Sequence, residues 1–508
     1  KQTGSFQGMH PAAVLSVEEQ TAKVITAKGD IYELPWDGIK WARKFITNKR
    51  QGKAPKLATE VLTAGQQVWI RNNGEIWQLS QVPLVASAIV SIDPQDGAIR
   101  NLVGGFSFYT SQYNRVTQAK RQLGSNIKPF IYTAALEKGY TLSTLINNAP
   151  INKPDTRQGT AWRPKNSPDI YGGPTRLRVG LAQSINVMSV RAMRYSGLDA
   201  TIAQLAKFGF DPADLPRNES IALGSPSATP LQVVTAFSTF ANGGYLVEPY
   251  FVERIESANG DLIETANPTL ACTPAELEQP LADDPFAAMA NELQGDTTGA
   301  VPSTTEQCGN EDSRFAPKII SEQTAFLITE SLKSVIWGGG DWSKGTGWNG
   351  TAWRAARVDK RRDIAGKTGT TNESRDTWFS GFNPKLATTV WVGFDDHGQE
   401  LGRTSWNANG AKDQISLAEA GAKTAGPAWN EFMKDALEGT PVEPTKTPEG
   451  IVSARIDLAT GKLSRKTDYT TRFEYFIAGT EPTEYATEQE EDNSDIFIDK
   501  SEEEDLFQ

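Results

Sequence analysis

The chain has 508 residues, a formal net charge of −11, two histidines and two cysteines. So few histidines leave a Ser-His-Asp triad almost without candidates, and two cysteines outside any CxxC or histidine cluster give a zinc site no ligand set. Twelve of the 62 acidic residues fall in 481–508 beside one lysine, so the body is neutral overall, which argues against general nucleic-acid binding.

Length allows on the order of two to four domains. No apolar run approaches the roughly 20 residues needed to span a bilayer, and no signal peptide is visible. The chain starts at Lys1 without a methionine, as a fragment or processed form does.

Residues 1–10 read as a connector. Residues 11–83 hold short β-prone runs, and Asn72-Asn73-Gly74 between two of them is a hairpin signal. Such spacing predicts a small OB-like barrel. Trp36, Trp41, Trp69 and Trp77 fit either a ligand platform or the core of that unit.

A larger unit, 84–440, opens with a hairpin around Asp93-Pro94-Gln95-Asp96-Gly97. Ile127, Phe130, Ile131, Ala134 and Ala135 then mark a helix, with Pro129 in its first turn. Ser125 stands at the mouth of that helix, with Lys128 three residues on and on the same face. The pair fits an N-cap serine with a solvated lysine, or a nucleophile with its base. Residues 175–195 carry Leu177, Leu181, Ser184 and Met188 at helical spacing. A helix is predicted over 229–242, a hairpin turning at Asn259-Gly260, and a surface insertion over 265–317 with both cysteines. Helix returns over 322–335, and 338–361 reads as a Gly- and Trp-rich loop. Two strands flank Asn383-Pro384-Lys385, and a helix runs over 427–437. Residues 441–480 form a strand-like extension, and 481–508 an acidic tail predicted to be disordered.

Two further stretches bear on Ser125. Gln183-Ser184-Ile185-Asn186 places a hydroxyl and an amide beside buried positions, where both need partners. Gly366-Lys367-Thr368-Gly369-Thr370-Thr371 joins a lysine, threonines and strand-edge amides, suited to a carboxylate on an extended peptide. Taken singly, the first fits local capping of a helix end and the second a turn. Together they match, in order, the SxxK, SxN and KTG elements. Ser125 opens the one SxxK in the chain and Lys367 the one KTG.

With these motifs, and with Asn114-Arg115, Lys120-Arg121-Gln122, Gly224-Ser225, Thr229-Pro230, Asn242-Gly243-Gly244 and Asp376-Thr377-Trp378-Phe379, the chain resembles the class A penicillin-binding proteins over about 83–437. The resemblance implies an α/β transpeptidase fold of the penicillin-binding/serine β-lactamase type. That fold is an antiparallel sheet with helices on both faces plus an all-helical subdomain, here with a small N-terminal OB-like β domain. It implies that Ser125 is the nucleophile and Lys128 its base, with Ser184, Asn186 and Lys367 completing the catalytic set. The amides of Ser125 and Thr370 would form the oxyanion hole. Asn186, Lys367, Thr368, Gly369 and Thr370 would hold substrate. Asn126 and Ile127, which vary in the family, would tune the pocket lining. No cofactor and no metal is expected.

The implied partners are peptidoglycan stem peptides, as a D-Ala-D-Ala donor and an amine acceptor, and β-lactam antibiotics. Cell-wall synthesis proteins are further implied partners, through the β domain or the acidic tail, and a membrane only through an anchor outside this chain. Full-length members also carry a glycosyltransferase domain that is not visible here, so glycan polymerisation is not expected. The implied place of work is the periplasmic face of the bacterial inner membrane. An oxidising compartment then predicts a Cys272–Cys308 bridge. D,D-carboxypeptidase, serine β-lactamase and non-catalytic receptor for cell-wall peptides or β-lactams are the competing functions.

Overall fold

The computed structural model describes residues 4–47, 50–151, 162–272, 312–404 and 417–487. Strands β1 (Met9–Val17), β2 (Thr21–Thr26), β3 (Ile31–Pro35), β4 (Gln67–Asn72) and β5 (Trp77–Ser80) form a sheet in the order β3-β2-β1-β4-β5. All its pairings are antiparallel. The predicted Asn-Asn-Gly turn joins β4 to β5, with Gly74 at φ +99° and Asn73 Oδ1 accepting from the amides of Glu75 and Ile76. Val14, Val24, Leu34 and Ile70 close a core separate from that of the larger unit, and Trp36, Trp41 and Trp77 pack against it. Three of the four tryptophans are therefore committed to packing. Trp69 meets Phe6 edge-on at 5.1 Å.

The second sheet comprises β6 (Ala86–Ile92), β7 (Ile99–Val103), β8 (Ala365–Thr370), β9 (Asp376–Asn383) and β10 (Leu386–Gly393), in the order β8-β9-β10-β6-β7. It too is antiparallel throughout. Its described α-helices of six residues or more are α1 (Lys128–Glu137), α2 (Leu177–Ala182), α3 (Asn186–Ser196), α4 (Leu198–Lys207), α5 (Pro230–Ala241), α6 (Glu322–Trp337) and α7 (Gly421–Ala436). Every residue of β9 is buried, which requires cover on both faces. Phe379 and Phe382 sit on opposite faces by strand alternation. Phe379 meets Trp429 of α7 at 4.5 Å, and Phe382 meets Phe240 of α5 at 6.5 Å. Phe130 of α1 gathers the rings of Phe208, Phe210, Phe237 and Phe240 and so ties the helical layer to α5. Among the described residues no helix is long and apolar enough to cross a membrane.

Three expectations need correction. The helix read over 175–195 is two helices, because Leu177, Leu181 and Met188 keep helical spacing across a break at 183–185, where Ser184 takes φ +59°. The helix read from Pro427 begins at Gly421 with Pro427 inside it. The proline's missing N–H mimics a helix start, whereas the actual entry needs Gly421, whose Cβ would lie 2.4 Å from the Trp378 carbonyl oxygen. Residues 481–487 are not part of a disordered tail. The Leu463 amide donates to Glu484 O, the Ala486 amide donates to Leu463 O, and Arg465 stacks on Tyr485.

The extension is a hairpin of β11 (Ile451–Asp457) and β12 (Thr471–Ile477). It docks on α6 through Phe326 and Tyr475, 5.1 Å apart. Cys272 is disulfide-bonded. Cys308, most of the insertion (273–311) and the tail from 488 onward lie outside the described residues.

Candidate active site

Ser125 lies in a 3-10 turn, Gly124–Ile127, that runs straight into α1 with Pro129 in its first turn. Two glycines let this turn press against its neighbours. A Cβ on Gly124 (φ +52°) would lie 2.5 Å from Thr370 O, and one on Gly224 (φ +84°) would lie 1.9 Å from Gly124 O. The Gly124 amide donates to Gly224 O at 3.0 Å. Just upstream, Arg121 pairs with Asp376 at 2.6 Å, with side chains 2% and 5% exposed. Trp391 Nε1 donates to the same carboxylate at 3.0 Å, and Trp378 Nε1 donates to Gln122 O at 2.8 Å. The sheet thus grips the segment ahead of Ser125 and holds the turn beside the end of β8.

Strand β8 carries Lys367, Thr368, Gly369 and Thr370 and is the edge of its sheet. Thr368 Oγ1 meets Thr351 Oγ1 at 2.8 Å, and Thr370 Oγ1 accepts from the Gly421 amide at 2.9 Å.

Lys128 and Lys367 are both fully buried. Lys128 Nζ donates to Asn186 Oδ1 at 2.7 Å, to Ser184 Oγ at 3.2 Å and to Ser184 O. Lys367 Nζ donates to Ser184 Oγ and to Thr368 O, each at 2.9 Å. Burial pushes Lys367 down to about 7. Lys128 is held well below the usual lysine range, first by burial and then by the charge of Lys367. An amine that gives up its proton readily and a second cation therefore meet on one hydroxyl.

All three motifs converge on this site. Two details differ from the sequence reading. Ser125 Oγ has no hydrogen-bond partner among the described residues, because the Lys128 amine is turned toward Ser184 and Asn186. The Asn126 amide is committed to the sheet and Ile127 to the hydrophobic core. Both are buried, and Asn126 Nδ2 donates to Ser380 Oγ at 2.8 Å inside the sheet. The sequence reading also missed three supports. Thr351 braces Thr368, and the Gly421 amide fixes Thr370. Lys165 O accepts from Asn186 Nδ2 at 2.8 Å. Each is far away in sequence and belongs to no motif.

Comparison with known proteins agrees with this arrangement. The penicillin binding protein transpeptidase domain matches residues 87–412, the penicillin-binding protein OB-like domain 1–85, and the penicillin-binding protein 1A C-terminal domain 447–491. The chain belongs to the penicillin-binding proteins, in their class A branch, and carries their transpeptidase domain. Among individual relatives it is 52% identical to Penicillin-binding protein 1A of Vibrio cholerae over 95% of this chain and 56% of that protein. It is 45% identical to Penicillin-binding protein 1A of Escherichia coli over 98% of this chain and 59% of that one. The crystal structure of Penicillin-Binding Protein 1A from Haemophilus influenzae superposes with a TM-score of 0.78 at 40% identity, covering 95% of this chain and 64% of that one. The chain therefore spans little more than half the length of the curated relatives it matches.

Proposed function

We propose that this chain is a peptidoglycan D,D-transpeptidase that works through an acyl-enzyme on Ser125. The observation that carries the reading is the meeting of two buried lysines on Ser184 Oγ beside the one SxxK serine. Lys128, depressed by burial and by Lys367, takes the Ser125 proton. Ser125 attacks the penultimate carbonyl of a stem ending in D-Ala-D-Ala. The amides of Ser125 and Thr370 stabilise the oxyanion. Ser184 passes the proton to the leaving D-Ala nitrogen. Asn186 holds the donor's amide, and Lys367, Thr368, Gly369 and Thr370 hold its terminal carboxylate. The amine of a second stem resolves the ester and makes the cross-link. A β-lactam enters as a donor mimic and leaves Ser125 acylated.

On this reading residues 84–440 are the catalytic unit, flanked by 11–83 and 441–480. The protein works at the periplasmic face of the inner membrane as the exported portion of a membrane-anchored whole. The β domain and the acidic tail offer surfaces to cell-wall synthesis proteins.

The test is incubation with a β-lactam while intact mass is followed. A lasting adduct on Ser125 supports the reading. A brief adduct points to a β-lactamase, and no adduct to a binding module. Adding an amine acceptor with a stem-peptide donor separates cross-linking from carboxypeptidase hydrolysis.

A further inference from the structure

Thr351 stands outside the three motifs and touches the segments that carry two of them. Gly350 lets the chain lie against the end of α6, since a Cβ there would fall 2.1 Å from Val335 O. The Ala352 amide donates to the same carbonyl at 2.9 Å. Between these anchors the Thr351 amide donates to Ala182 O at 3.1 Å. Ala182 is the last residue of α2, just ahead of the break that holds Ser184. The Thr351 hydroxyl meets Thr368 Oγ1 on β8 at 2.8 Å. One residue thus ties the SxN turn to the KTG strand.

The hydrogens of this contact do not balance within the protein. A threonine hydroxyl has one hydrogen to give and two lone pairs to accept with. One hydrogen lies between Thr351 and Thr368. Among the described residues neither hydroxyl has another hydrogen-bond partner, so the second hydrogen is unspent whichever of the two donates. Thr370 shows the same pattern with its direction fixed. It lies two residues along β8, on the face that Thr368 shares by strand alternation. Its Oγ1 accepts from the Gly421 amide at 2.9 Å. An amide N–H only donates, so the Thr370 hydrogen is unspent among the described residues as well.

An ionised carboxylate only accepts. If Thr368 gave its hydrogen to Thr351, it would turn lone pairs alone toward that carboxylate. If Thr351 donates, Thr368 and Thr370 each offer one hydrogen to the two carboxylate oxygens. A chain of hydroxyls polarised in that direction also strengthens its outer bond.

We propose that Thr351 is a positioning residue for the donor's terminal carboxylate. By donating to Thr368 Oγ1 it keeps the Thr368 hydrogen for the substrate, as the Gly421 amide does for Thr370. The inference rests on the reading in which Thr368 and Thr370 hold that carboxylate, and it adds a residue that specifies a charged donor terminus.

The test follows acylation of the whole chain by benzylpenicillin in stopped flow, resolving the Kd of the first complex from the rate constant of acylation. Thr351→Val keeps the shape and both backbone hydrogen bonds but loses the hydroxyl. It should raise Kd about 3- to 10-fold, the worth of one hydrogen bond, and leave the rate constant unchanged. Thr351→Ser, which keeps the hydroxyl, should restore Kd. The methyl ester of benzylpenicillin carries no charge there, and its overall acylation efficiency should fall by less than about twofold in Thr351→Val. In a Thr368→Val background the Thr351→Val change should have no further effect on Kd. Should valine unfold the chain, Thr351→Ala is put through the same comparisons, and a fold that survives neither change makes Thr351 structural and overturns the proposal. A parent chain that takes no label on Ser125 sinks the transpeptidase reading and this inference with it. With the parent labelled, the inference alone falls if Kd is unchanged in Thr351→Val, if acid and ester lose equally, or if the loss persists without the Thr368 hydroxyl.

Discussion

Lys128 and Lys367 aim their ammonium groups at one oxygen, Ser184 Oγ, from 3.2 and 2.9 Å. Two cations so placed cannot both remain charged without cost, so the pair has to divide one task between its members. On the proposed reading, the ring nitrogen that serves as base in a Ser-His-Asp site is replaced by the Lys128 amine, whose pKa is lowered by burial and by its twin.

The pH dependence follows from that division. Lys128 acts as base only when neutral, so acylation rises as pH climbs through its depressed pKa. Lys367 binds a carboxylate only when charged, and that charge is lost as pH rises through about 7. The β-lactam acylation efficiency of the free enzyme should therefore be bell-shaped, with an alkaline limb near neutrality that belongs to the coupled pair. In Lys367→Arg that limb should disappear from a stopped-flow pH profile.

Stability should carry the opposite sign on the acid side. The folded pKa of Lys367, about 7, lies below its unfolded value of about 10.4. Between these values the unfolded chain binds more protons, so this group's contribution to stability increases with pH across that window. Lys367→Met should be more stable than the parent below pH 7, and the gain should shrink as pH approaches about 10. Denaturant titrations at several pH values measure it.

Ser125→Ala should retain weak binding of a β-lactam through the carboxylate pocket and never take a covalent label. Lys128→Ala should fold and acylate about 100- to 10,000-fold more slowly, the usual range for loss of a general base. Peptide mapping after labelling is the check, and an adduct on any residue other than Ser125 would overturn the assignment.

The grip on the serine segment can be tested apart from chemistry. Removing one partner of the buried Arg121–Asp376 pair leaves an uncompensated charge, so Arg121→Ala should cost about 3–5 kcal/mol of stability. Gly224→Ala should slow acylation, because a Cβ at that φ would lie 1.9 Å from Gly124 O and displace the turn. A Gly224→Ala protein acylating at the parental rate would show that the close approach does not position Ser125.

The disulfide at Cys272 should survive export and play no part in acylation. Alkylation of the unreduced, periplasmically made protein should add no mass. Reduction should leave the labelling rate unchanged, since the described contacts that support Ser125 come from other segments: Gly124 meets Gly224 and Thr370, Arg121 pairs with Asp376, and Lys128 bonds to Ser184 and Asn186.

The linear chain determined the parts of this protein that depend on local chemistry. Helix α1 follows from the spacing of Ile127, Phe130 and Ile131, and the β4–β5 turn from Asn72-Asn73-Gly74. The candidate site was legible because three motifs each place their chemistry within four residues. Periodicity could not reveal the break at Ser184, since Leu181 and Met188 stay in helical phase across it, nor the start of α7 at Gly421, which the contact with Trp378 O imposes. Tertiary structure alone decided which way each side chain faces. Lys128 and Lys367 are 239 positions apart in the chain and meet on one hydroxyl because the sheet carries β8 to the mouth of α1. Asn126, between two site residues in sequence, turns away into the sheet because the 3-10 turn that holds it rotates neighbouring residues by about 120°. Thr351 and Lys165 carry no motif, and they matter only because distant segments pack there.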